Sequence, residues 1–137
     1  MKNRVRAIII KDNKILLIKR TKEDCVYWVI PGGGVDENET KEEALTRECK
    51  EELGVKIEVN DFIIEIISRK IETKGQKEFF YLCSVIGGIL GSGKGPEFQK
   101  SSSYTGQYNP EWVDIEKILE IDLRPKEIKY LVFEKYQ

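Results

Sequence analysis

Apolar residues gather early in the chain in short, β-branched runs. Ile8-Ile9-Ile10 and Ile15-Leu16-Leu17-Ile18 flank Lys11-Asp12-Asn13-Lys14, which has the composition of a turn. Arg4 to Arg20 therefore predicts a β-hairpin. A short strand over Tyr27-Trp28-Val29-Ile30 is stopped by Pro31 and the glycines Gly32-Gly33-Gly34. The period then changes. Thr40 with Glu43 three residues on makes a capping box, and Gly54 suits the left-handed position past a helix end. Leu45, Cys49 and Leu53, at four-residue steps, give this helix a buried stripe. That stripe is expected about 100° around from Glu48, Glu51 and Glu52, so that the carboxylates point out of the core.

Val55 to Ile71 carries a long strand pattern, and Glu78 to Ile86 a second. Glycines, a proline and serines break the pattern from Gly87 to Gly106, which predicts a long surface loop of the kind that is usually functional or disordered. Glu111-Trp112-Val113 predicts a short strand. Asp114 is placed to cap a helical turn through Leu119. Pro125 fits the first position of a last helix, with Ile128, Leu131 and Val132 on its apolar side. There is no internal repeat and no linker. Strands, helix, strands, helix is the order of a single α+β domain over residues 1–137.

Composition narrows the chemistry. The chain has 137 residues, 40% hydrophobic and 34% charged, which suits one soluble domain with one core. A net charge of −1 offers no bulk attraction to nucleic acid or an anionic membrane. An anionic ligand would need local positive charge, from a metal or from a few placed Arg and Lys. The absence of histidine excludes His-based triads and His-ligated zinc. Cys25, Cys49 and Cys83 are odd in number and lack CxxC spacing, as expected of reduced thiols in a cytoplasmic protein. The apolar run in MKNRVRAIII is too short for a signal peptide or membrane span.

Glu48, Glu51 and Glu52 stand three and four apart, so they share a helix face. Each like-charged pair costs roughly 0.2–0.5 kcal/mol. Such a cluster is either solvated or holds cations, and charged helices are common enough that periodicity alone favours solvent. A hard cation such as Mg²⁺ takes oxygen ligands, typically one or two carboxylates with waters and substrate phosphates. The glycines at 32–34 read as a turn upstream of the helix that allows close backbone approach and could offer a carbonyl. Arg47 can orient a carboxylate by pairing with it.

The spacing of the whole run reverses the weighing. Gly33, Glu39, Arg47-Glu48, Glu51-Glu52, Gly54 and an apolar Val55 follow one another at the intervals of the Nudix box, which this stretch resembles at every fixed position. Cys49 stands where that family more often has Leu, Ile or Val, and Cys behaves as a small hydrophobe. Trp28-Val29-Ile30-Pro31-Gly32 also looks like the family's lead-in.

The resemblance implies an α/β/α sandwich with a central mixed sheet. It implies hydrolysis of a nucleoside diphosphate linked to another group, with Mg²⁺ or Mn²⁺ as cofactor. Glu48, Glu51 and Glu52 would be metal ligands, joined by the Gly32 carbonyl. Arg47 would orient them, and Glu39 would be structural. The catalytic base varies in the family. Here Glu51, Glu52 and the loop residue Glu97, in Gly95-Pro96-Glu97-Phe98, compete for the role. Arg20, at a strand end, would reach a substrate phosphate, and Gly33 would also contact the substrate. Tyr27, Phe80, Tyr81 and Tyr104 are candidates to stack a base, against a plain packing role; Trp28 and Trp112 are taken as packing residues.

Other readings are weaker. Gly88-Ile89-Leu90-Gly91-Ser92-Gly93-Lys94-Gly95 nearly spells a P-loop but ends in Gly95, which has no hydroxyl for Mg²⁺. Lys94 and Lys100 remain candidate phosphate contacts. A Nudix fold used as a non-catalytic nucleotide-sensing module would usually lose box ligands, and none is lost here. Hydrolysis of an RNA 5′ end is disfavoured by the lack of a basic stripe. Lys70 to Thr73, the window that marks some subgroups, holds neither the proline nor the tyrosine that would name a substrate. The expected partner is a small nucleotide, a nucleoside triphosphate or nucleotide sugar, with no long nucleic acid and no membrane. Homodimers are common in the family.

Overall fold

The computed structural model describes residues 2–91 and 107–137, Gln107 by its backbone alone. The sequence-predicted hairpin is β1 (Arg4–Lys11) and β2 (Lys14–Lys22). Asp12 and Asn13 join them with φ of 52° and 62°. Asp and Asn tolerate that left-handed backbone best among non-glycine residues. β3 (Cys25–Val29) follows. The triple glycine is a strand rather than a turn: β4 (Gly32–Gly34) pairs antiparallel with Arg4–Arg6.

Helix α1 (Lys41–Leu53) has the expected capping box between Thr40 and Glu43, and Gly54 ends it at φ 80°. β5 (Val55–Ile67) and β6 (Lys77–Gly88) are the two long strands, separated by a 3-10 turn at Ile71–Thr73. The expected short strand is longer than its apolar core: β7 (Gln107–Asp114) pairs along β2 from Thr21 to Lys14. A 3-10 turn over Ile115–Glu120 follows, but the Asp114 side chain does not cap it. Asp114 pairs instead with Lys14 and Lys117. β8 (Leu123–Arg124) leads into α2 (Lys126–Tyr136), and Pro125 is its N-cap, one position before the expected site.

β1 joins two sheets. One edge runs parallel to β6 from Arg4↔Glu78 to Ile9↔Cys83. The other edge carries β4 first and then the start of β2. β2 in turn lies between β7 and β3, and β8 extends β3 in parallel. β1 is thus paired on both edges, and where it is buried on both faces, over Ala7 to Ile9, its sequence becomes a continuous apolar run rather than an alternation.

The period of two sorts that run. Val5, Ala7 and Ile9 pack with Leu45, Cys49 and Leu53 of α1. Ile8 joins Phe80, Ile115, Ile128 and Val132 on the α2 side. Helices cover both faces of a mixed sheet, the α/β/α sandwich that the sequence implied. No helix among the described residues is long and apolar enough to cross a membrane.

Candidate active site

The site begins with helix geometry. At 100° per residue, Glu52 lies about 20° from Leu45, and Glu48 about 60° on the same side. Both are on the flank of the buried stripe, and only Glu51 turns well outside it. The expectation that all three carboxylates point out of the core is therefore corrected. Glu52 is 8% exposed, whereas the Glu51 side chain is 49% exposed.

Glycines make room for these acids. The Glu48 carboxylate sits on Gly33, where a Cβ would collide with it. Gly32, at φ 151°, lies so close to the Val5 carbonyl that no side chain fits. Its N–H donates to Glu52 Oε1 at 2.9 Å. The pairing of β4 with β1 therefore carries the backbone up to both glutamates.

Arg47 ties the box together. Its Nε and Nη2 grip Glu39 at 2.7 and 2.9 Å, and Nη2 also donates to the Gly34 carbonyl at 3.0 Å. Nη1 reaches Glu48 at 3.0 Å and Glu51 at 3.3 Å. The Asp36 N–H donates to Glu39 as well, at 2.9 Å. The Arg47 fork, helped by that N–H, holds the Glu39 carboxyl down to about 2. In return Glu39 and Glu48 push the Arg47 guanidinium further up.

The donor chemistry fits a hard divalent cation. Carboxylate oxygens of Glu48 and Glu52 lie on one side of α1, facing glycine backbone that leaves them space. Among the described residues, no three acidic or cysteine side chains already converge on one point. A cation here would need water or substrate oxygens to complete its shell, as is usual for Mg²⁺.

Glu52 opens onto substrate-sized space. A recess of about 210 Å³ is lined by Glu52, Gly32, Arg4, Arg6, Arg20 and Tyr108. Through the three arginines and Val29 it continues into a cleft of about 670 Å³ between Ile66–Gln76 and Arg124–Glu127. Among the described residues, five arginines and two lysines line that cleft, against the acids Glu78 and Glu127.

A profile of the NUDIX domain matches residues 1–132. The chain belongs to the Nudix family. Among its relatives is an ADP-ribose pyrophosphatase of Methanocaldococcus jannaschii, 41% identical over 65% of this chain and 54% of that one. A CTP pyrophosphohydrolase of Escherichia coli is 29% identical over 93% of this chain and 86% of its own length. The chain spans only 23% to 54% of the length of the first two curated relatives that it matches. Among solved structures, a MutT NUDIX hydrolase from Burkholderia pseudomallei superposes with a TM-score of 0.71 over 99% of this chain and 98% of that one, at 24% identity.

The Nudix cleft brings together some of the sequence-predicted residues and leaves others apart. Arg20 lines both the recess and the cleft, and Tyr27 lines the cleft. The Arg124 guanidinium already covers the Tyr27 ring at 4.2 Å, so that face is not open to a base. Tyr81 is not at the cleft. It is 7% exposed in the α1-side core, edge-on to Phe62 at 5.5 Å, because odd positions of β6 face α1. Phe80 lines the cleft as a fully buried floor. Trp28 and Trp112 pack against the two cores as expected. Glu97, Tyr104, Lys94 and Lys100 lie outside the described residues.

Arg4, Arg6, Arg69 and Arg124 were not singled out from sequence. They come from three separate segments, β1, the stretch after β5 and β8, and share no motif. One signal was legible: Arg4 and Arg6 alternate with Val5 and Ala7, the mark of a strand with one wet face.

Proposed function

We propose that this Nudix protein hydrolyses the diphosphate linkage of a nucleoside diphosphate derivative, a nucleoside triphosphate or a nucleotide sugar. The products would be a nucleoside monophosphate and a phosphorylated leaving group. The observation that carries this reading is the seating of Glu48 and Glu52 against glycine backbone, with Glu52 lining a recess that runs into a cationic cleft. The two relatives described above are named for pyrophosphate hydrolysis of nucleotide derivatives, which supports the same class.

Hydrolases of this family generally use divalent metal ions, and Mg²⁺ or Mn²⁺ is the cofactor proposed here. Glu48 and Glu52 would hold the ion, with the Gly32 carbonyl and Glu51 as further ligands. Bound there, the ion would neutralise the diphosphate and lower the pKa of a water ligand from about 15.7 towards 7. The remaining steps belong to the chain. Arg47 fixes Glu48 and Glu51 so that their oxygens hold station. Arg20, Arg4 and Arg6 orient the phosphates along the recess. Glu52, which lines that recess, is better placed than the half-exposed Glu51 to take the proton of the attacking water. Glu97 stays a candidate for that step.

A panel of nucleoside diphosphate derivatives with Mg²⁺ or Mn²⁺, read by product chromatography, tests the reading. Cleavage of at least one compound, abolished by a chelator, is the expected result. Binding of nucleotides without turnover of any would instead favour the non-catalytic sensing module.

A further inference from the structure

The cleft beyond Glu52 holds more positive charge than a scissile diphosphate needs. Among the described residues, Arg4, Arg69, Lys70 and Lys126 have no ion-pair partner. Arg6 differs, since its charge is met by Glu78 at 2.7 Å and by the Ile30 carbonyl. This concentration sits on a chain whose net charge is −1.

One wall is built as an alternating ladder across four strands. Tyr108 on β7, Arg20 on β2, Tyr27 on β3 and Arg124 on β8 follow the strand order of their sheet. Arg20 lies 5.4 Å from the Tyr108 ring centre and 5.7 Å from that of Tyr27. Arg124 stacks on Tyr27 at 4.2 Å, and Asp122 holds it from the side at 2.9 and 3.3 Å. Guanidiniums fixed in this way lose little freedom when they take a ligand. The planar fork of Arg suits phosphate oxygens.

We propose that this cleft takes an anion-rich part of the substrate, so that the preferred class carries a chain of three or more phosphates rather than a diphosphate capped by a neutral sugar. The proposal rests on the hydrolase reading only in placing the scissile bond near Glu52. Arg69 and Lys70, exposed on the far wall, meet the outlying phosphates, and Arg20 and Arg124 meet those along the ladder.

The test is calorimetric titration with inorganic tripolyphosphate in the presence of a chelator, so that the metal end contributes nothing. The wild type is expected to bind, and more weakly as salt rises. The double variant Arg69→Ala/Lys70→Ala is expected to bind about tenfold more weakly, which is about 1.4 kcal/mol. Lys11→Ala/Lys56→Ala removes the same charge from outside the cleft and is expected to bind like the wild type. Absence of binding by the wild type, or equal weakening in both double variants, overturns the proposal. Turnover separates it from the reading beneath it. A protein that binds tripolyphosphate but cleaves no nucleotide loses the hydrolase reading alone. One that cleaves nucleotide sugars and ignores tripolyphosphate keeps that reading and loses this one.

Discussion

Two adjacent glycines in the site answer to different constraints. A Cβ at Gly33 would meet the end of the Glu48 side chain, which can swing aside. Gly33→Ala should therefore fold, with a melting temperature near that of the wild type, yet need at least tenfold more metal for half-maximal turnover. A Cβ at Gly32 would meet the Val5 carbonyl, which cannot move without unpairing β1. Gly32→Ala is expected to cost about 3 kcal/mol or more of stability in denaturant titration. Glu52→Gln keeps the shape and the Gly32 N–H contact but removes the charge, so turnover should fall by orders of magnitude with the fold intact. Acid should expose the Arg47–Glu39 pair. Glu39 titrates at about 2 in the folded chain, against about 4.3 for an unfolded glutamate. Its stabilisation is complete above the unfolded value and fades as pH falls through the folded one. Urea denaturation should thus show the wild type and Glu39→Gln converging between roughly pH 4 and pH 2. Thiol reactivity divides as sharply. Burial pushes the Cys49 thiol up and Cys83 up to about 12, so a thiol reagent should label exposed Cys25 alone in the native protein.

At the scale of elements, sequence was most legible where local rules decide. The hairpin turn at Asp12-Asn13, the Thr40–Glu43 box and the Gly54 cap follow from residues within a few positions of one another. Thr40→Ala should cost about 1 kcal/mol, measured by thermal unfolding. The misreadings arose where a distant partner decides. Three glycines look like a turn until β1 offers an edge to pair with. Tyr81 looks like a ligand contact until parallel pairing with β1 sets which face of β6 meets α1. Glu52 looks as if it points out of the core when the stripe is traced through Leu45, Cys49 and Leu53 alone, without the residue seven after Leu45. The glutamate half of the candidate site was legible because it is one local run. The arginine half was not, because four segments contribute to it.

At the scale of the molecule, near-neutral net charge conceals a polar division. Acidic side chains gather on α1 and basic ones in the cleft, and the two meet in the recess that Glu52 shares with Arg4, Arg6 and Arg20. Under the proposed function, a substrate that spans both would take a cation at one end and none at the other. β1 has a further role in this division. Arg4 and Arg6 share a face with Ile8, whereas Val5, Ala7 and Ile9 fill the opposite core. A slip of one residue in its pairing would drive both arginines into the α1 packing and turn Val5 and Ala7 to the cleft. So large a penalty selects against the misregistered form. The same pairing that fills the α1-side core thus turns both arginines to the cleft.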